Sequence, residues 1–186
     1  MASLLARRSL VAARSIFERV ILDSSVLLGD KSARLIAAAD LNFFRGYWSS
    51  WIAVEFARVR TEWIARRLVK ETPDMAEANR RLDASRSRVN AAISEFSRVL
   101  TLVDYNAAPE EDLSWLADGD DRPIMQTALA VGTPCSLVTD NTRDFPPGEE
   151  RNGVLFLSSE AFLKFLFETY PEANDAIANY LTNRLG

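Results

Sequence analysis

A chain of 186 residues, about half of them apolar and a quarter charged, is long enough to bury a core without staples and has the composition of an ordinary globular protein. It contains no histidine and one cysteine, Cys135, which excludes Ser-His-Asp and Cys-His catalysis, His-ligated zinc and any internal disulfide. The net charge of −4 is unevenly spread: residues 58–98 carry ten Lys/Arg against six Asp/Glu, and residues 100–160 carry three Arg against twelve Asp/Glu.

Residues 1–18 are rich in Arg, Ser and Ala and nearly free of acid. They read as an amphipathic helical extension with Leu4, Leu5, Val11 and Ile16 on one side; the same composition is shared by transit peptides. Val20, Ile21 and Leu22 then form an apolar run too short for a helix and suited to a buried parallel strand, with Asp23 at its C-terminal end. In open α/β sheets that end is where ligands sit, although Asp23 also has the makings of an ordinary helix cap. Ser24 and Ser25 are placed to cap the next turn or to donate to the Asp23 carboxylate. Residues 31–41 predict a helix, and LNFFRGYW reads as an aromatic break.

From Ser49 or Ser50 a long helix is expected, buried through Trp51, Val54, Val59, Trp63 and Leu68. Glu55 stands among Ala53, Val54, Phe56 and Ala57, where a carboxylate is costly unless it is paired with Arg58 or Arg60 or binds a metal. A second helix from Pro73 toward Leu100, with Leu82, Val89, Ile93 and Phe96 inward, completes an α-hairpin. Its basic face is either a phosphate-tracking surface or a solvated exterior. Strands follow in LTLVDY, CSLVTD and Val154–Leu157, then a capped apolar helix in SSEAFLKFLFETY. The pattern predicts one α/β domain over residues 19–170 with a mainly parallel sheet, and a C-terminal helix over 171–186 packed on it. No apolar run approaches the roughly 20 residues of a membrane span, and the lone cysteine fits a reducing compartment, so a cytoplasmic protein without membrane contact is expected.

Parallel strands present their C-terminal ends on one side, so Asp23, Glu55, Asp121, Asp140 and Asp144 can converge although far apart in sequence. Carboxylates gathered without His or Cys form a hard oxygen site suited to Mg²⁺ or Mn²⁺. Asp118 and Asp120 read as caps, or as charges that tune the field.

At these residues the chain resembles the PIN-domain family of metal-dependent ribonucleases. The matching stretches are VILDSSVLL, AVEFARV, DRPIMQTAL, LVTDNTRDF and GVLFLSSEAFLKFL, spanning about Val20 to Leu166. The resemblance implies a three-layer α/β/α fold with a protruding α-hairpin. It also implies Mg²⁺ or Mn²⁺ held by Asp23, Glu55 and Asp121, with the fourth place contested between Asp140, Asp144 and Asn141, and with Thr139 in support. The implied activity is hydrolysis of phosphodiesters in single-stranded or loop RNA, with Arg58, Arg66, Arg67, Arg122 and Arg143 as candidate RNA contacts. Such chains resemble the toxin components of toxin–antitoxin pairs, which implies a homodimer silenced by an antitoxin-like partner. A haloacid-dehalogenase-like phosphatase would want Asp where Ser25 stands, and a receiver domain would want an early acidic pair. A non-catalytic PIN-like module that binds RNA or protein is the remaining alternative, kept open by Asn141.

Overall fold

The computed structural model describes residues 16–72 and 74–185. The expected N-terminal helix therefore lies almost wholly outside the described residues. Val20–Leu22 form β1, every residue of it buried. Parallel partners flank it on both sides: Gly46–Ser49 (β2) and Cys135–Val138 (β4), with Val20 opposite both Gly46 and Ser136. Thr101–Val103 (β3) adds to β2, and Val154–Leu157 (β6) adds to β4, also in parallel. Among the described residues only the two-residue Glu150–Arg151 (β5) runs antiparallel, on the outer side of β6. The resulting order is β3-β2-β1-β4-β6-β5. The chain builds outward from β1 through β2 and β3, then returns to the other side of β1 at β4. That reversal sets the topological switch point at the C-terminal ends of β1 and β4, where α/β folds place ligands.

Seven α-helices join these strands in the described residues: Ser24–Leu28 (α1), Ser32–Asp40 (α2), Ser50–Glu71 (α3), Met75–Val99 (α4), Arg122–Val131 (α5), Ser159–Thr169 (α6) and Ala173–Leu185 (α7). The protein is thus α/β with a six-stranded, mostly parallel sheet. None of the described helices is long and apolar enough to cross a membrane.

Two expectations need correction. The stretch LNFFRGYW, read as a break, supplies the first three residues of β2, which parallel pairing with β1 and β3 holds extended, with Gly46 and Trp48 buried and Tyr47 only partly so. Helix α3 buries Ile52 and Phe56, whereas Val54 and Trp63 are 64% and 50% exposed. A helix seated on its neighbours along one narrow stripe leaves much of its apolar complement in solvent. Phe56 and Trp48 both meet Phe96 of α4 edge-to-face, at 5.2 and 5.9 Å between centroids. This aromatic joint fixes the base of the α3–α4 hairpin against the sheet, and with it the position of Glu55.

The C-terminal helix docks through buried Ala173 and Ile177. Tyr180 donates its hydroxyl to the Asp40 carboxylate and Arg184 bonds Glu95 at 2.7 Å, tying α7 to α2 and α4.

Candidate active site

The end of β1 sets the first acid. The backbone N–H of Asp23 still bonds the carbonyl of Val138, continuing the β1–β4 pairing, so Thr139 falls beside Asp23. Thr139, fully buried, donates its hydroxyl to Asp23 Oδ2 at 2.8 Å, and Ser25 donates to the same oxygen at 2.6 Å. Oδ1 accepts from the backbone N–H of Ser24 at 2.7 Å, so Asp23 also heads α1. With 2% exposure it is a buried carboxylate satisfied by hydroxyls and an amide, with no cation paired to it among the described residues.

The second acid arrives from β2. Ser49 ends that strand and caps α3 by accepting from Ile52 N–H, and it also receives the Thr127 hydroxyl of α5 at 2.9 Å. This buried Ser–Thr contact, which nothing in the local sequence announces, locks the start of α3 to α5. Glu55 sits on the next turn, half-buried, and accepts the Ser24 hydroxyl at 2.7 Å. No salt bridge to Arg58 or Arg60 forms; Arg58 instead leans toward Glu62 at 3.4 Å. Burial raises the Glu55 carboxyl above its ordinary value, the Ser24 bond opposes the shift, and the charge of Asp23 adds to it.

Asp121 closes a 3₁₀ turn, Gly119–Asp121, and leads into α5. Its side chain makes no cap; Asp118 holds the turn instead, accepting from the N–H of Asp120 at 2.9 Å. The Asp121 carboxylate is thereby left for Asn141, whose side-chain amide donates to both oxygens at 3.2 and 3.3 Å. Asn141 in turn gives its backbone N–H to Thr139 Oγ1 at 3.1 Å. Glu55, Ser24, Asp23, Thr139, Asn141 and Asp121 therefore form one hydrogen-bonded chain around the switch point. Asp121 is 7% exposed, and its carboxyl is pushed up to about 7, first by burial and then by the charges of Asp144, Asp118 and Asp23.

The contested fourth place divides cleanly. Asp140 accepts from both the backbone N–H and the hydroxyl of Ser159 at 2.9 Å, so its two oxygens serve the N-terminus of α6 rather than the switch point. Asp144 lies close enough to Asp121 to raise that carboxyl, while its own is held low chiefly by Arg143, bonded at 2.8 Å. Of the cations expected to meet RNA, Arg143 adjoins the acids. Arg66 and Arg67 lie further along α3, paired with Glu62 and Glu71, and Arg122 is exposed at the start of α5. The Cys135 thiol, buried and pushed up to about 12, offers no nucleophile.

Among the described residues no three His, Cys, Asp or Glu side chains are gathered tightly enough to grip a metal ion as they stand. The donor chemistry nevertheless fits a hard cation. Asp23, Glu55 and Asp121 offer carboxylate oxygens from three elements, two of them buried and one half-buried, and none is paired with Lys or Arg among the described residues. Comparison with protein-family models, with curated proteins and with solved structures returns no match.

Proposed function

We propose that the protein is a divalent-metal-dependent endoribonuclease with a PIN-like three-layer arrangement. The observation that carries this reading is the pair of buried carboxylates, Asp23 and Asp121, set with Glu55 around the C-terminal ends of β1 and β4, with no Lys or Arg salt-bridged to any of the three among the described residues. Unpaired buried charge is destabilising, and a fold gains nothing from two such groups beside a half-buried third unless something positive joins them. Asp23, Glu55 and Asp121 would hold Mg²⁺ or Mn²⁺, which supplies activation of water and stabilisation of the charge developing on a phosphodiester. Thr139 and Ser25 orient the Asp23 carboxylate, and Ser24 orients Glu55, so binding an ion would need the three side chains to close together from positions already held on the rim. Asn141 spans Asp121 and Thr139, holding the second half of the rim in register with the first. The uneven charge supports a polyanionic substrate, with the basic hairpin offering a surface for strand phosphates.

One observation favours a second reading, a non-catalytic RNA-binding module: Asn141 already satisfies both oxygens of Asp121. Cleavage of a mixed set of labelled single-stranded and hairpin RNAs, with Mg²⁺, Mn²⁺ or EDTA, decides between the two. Wild type is expected to cut only with metal, and Asp121→Asn to lose at least two orders of magnitude. RNA binding without cleavage under any metal would establish the module instead.

A further inference from the structure

Near the acidic group lies a cleft of about 650 Å³, walled by Trp115, Asp118, Gly119, Arg143, Asp144 and Arg151. Asp144 and Asp118 on this wall are near enough to Asp121 for their charges to raise its carboxyl. Through Arg151 the cleft reaches β5, at the edge of the sheet.

Its two guanidinium groups are only partly used. Arg143 directs Nε and Nη2 at Asp144 Oδ2, at 3.0 and 2.8 Å. Arg151 directs Nε and Nη2 at Glu149 Oε2, at 3.3 and 2.9 Å. In each, Nη1 makes no hydrogen bond within the described residues. Arg151 is also stacked, its Cζ lying 4.5 Å from the centroid of the Trp115 ring. Trp115 rests in turn on Phe145 and Phe156, at 6.4 and 6.1 Å, and both of these are fully buried. An exposed pair such as Arg151–Glu149 adds little to stability and needs no aromatic seat beneath it. A stacked guanidinium, by contrast, has its fork pre-aimed and loses little entropy on meeting a planar or tetrahedral oxyanion.

We propose that this cleft is a phosphate subsite for the RNA strand flanking the cleaved bond, with Arg151 and Arg143 donating to the phosphate and Trp115 positioning Arg151. The inference rests on the nuclease reading given above. Asp118 and Asp144 on the same wall disfavour small free anions, so the subsite works for a phosphate delivered by a tethered strand and not for inorganic phosphate alone. Arg151 and Trp115 have no individual sequence signature; β5 and the Phe145 loop bring them together.

The test measures kcat and KM for Mn²⁺-dependent cleavage of a fluorescein-labelled 12-nucleotide RNA, and Kd for the same RNA in EDTA. Wild type is compared with Arg151→Ala, Arg151→Lys, Trp115→Phe and Arg34→Ala, the last removing one exposed charge of α2 outside the cleft. Arg151→Ala is expected to raise KM and Kd about ten-fold with kcat within about two-fold. Arg151→Lys is expected to recover only part of the loss, because an ammonium neither stacks nor forks, and Arg34→Ala to change neither constant by more than about two-fold. Equal effects of Arg151→Ala and Arg34→Ala, or none from Arg151→Ala, would overturn the subsite while wild-type cleavage kept the nuclease reading intact. A wild type that neither cleaves nor binds RNA would remove both.

Discussion

Asp140 and Asp23 both follow central strands, yet their surroundings give them different work. Both Asp140 oxygens are bonded to Ser159 at the first turn of α6, which Ser158 caps, so Asp140→Ala is expected to cost about 1 kcal/mol in urea unfolding, as loss of a side-chain hydrogen bond does. It is also expected to leave metal-dependent cleavage within about two-fold; a collapse of activity would place Asp140 among the ligands after all. Asp121 lies inside the acidic group, and its signature is pH. Its ordinary value is 3.8, and in the folded chain it is pushed up to about 7. Between those two values the folded state holds a proton that the unfolded state has released, so this group makes stability fall as pH rises from about 4 to about 7. Glu55, also raised, contributes with the same sign. Asp40, Glu77 and Glu95, held low mainly by arginine bonds, act with the opposite sign, but only at and below their ordinary values of 3.8 to 4.5. Thermal unfolding in EDTA is therefore expected to show Asp121→Asn gaining on wild type steadily from pH 4.5 to 7.5. A gap that stays flat across that window would mean Asp121 is not the uncompensated group.

Strand β2 is the element on which the site's geometry turns, because it delivers Ser49 and hence α3 and Glu55. It opens on Gly46, where an added Cβ would stand 2.4 Å from Leu100 Cδ2 and 3.4 Å from Phe44 Cε2. Leu100 and Phe44 are both buried, so neither has free space to enter. Gly46→Ala is expected to destabilise by about 1–3 kcal/mol, the usual cost of overpacking, measured as a lower urea midpoint at unchanged slope. The same strand marks the limit of what the sequence reveals. VIL and VLFL become β1 and β6 residue for residue, since a short apolar run with no room for a helix has one sensible use. GYWS carries a glycine and only one fully apolar inward residue, and its strand character comes from β1 and β3 on either side of it. The acids follow the same division. Asp23 is marked by the strand before it, and Glu55 by its apolar neighbours. The bonds of Asp140 to α6 depend on β6 lying beside β4, which brings Ser159 next to it from nineteen residues away.

Taken together, these elements gather negative charge at one end of the sheet while the cations are spread along the hairpin, so folding is opposed where the acids meet. A cation that binds the folded rim and not the unfolded chain relieves that opposition, and mass action converts its affinity into stability. At a free Mn²⁺ concentration about one hundred times its dissociation constant, the gain is about 2.7 kcal/mol. For a chain of this size that corresponds to a rise in Tm of roughly 5–10 °C. Ligand carboxylates must shed their protons to bind metal, and Asp121 keeps its proton until about pH 7. The Mn²⁺-induced rise is thus expected to be larger at pH 7.5 than at pH 5.5, and to be reversed by EDTA. Asp23→Asn and Asp121→Asn are expected to lose most of the rise, and Asp140→Ala to retain it. Differential scanning calorimetry of the four proteins at the two pH values reads all of this at once. An equal rise in wild type and Asp121→Asn would put the ion elsewhere on the molecule, and a rise that did not depend on pH would mean that no proton is displaced from the rim.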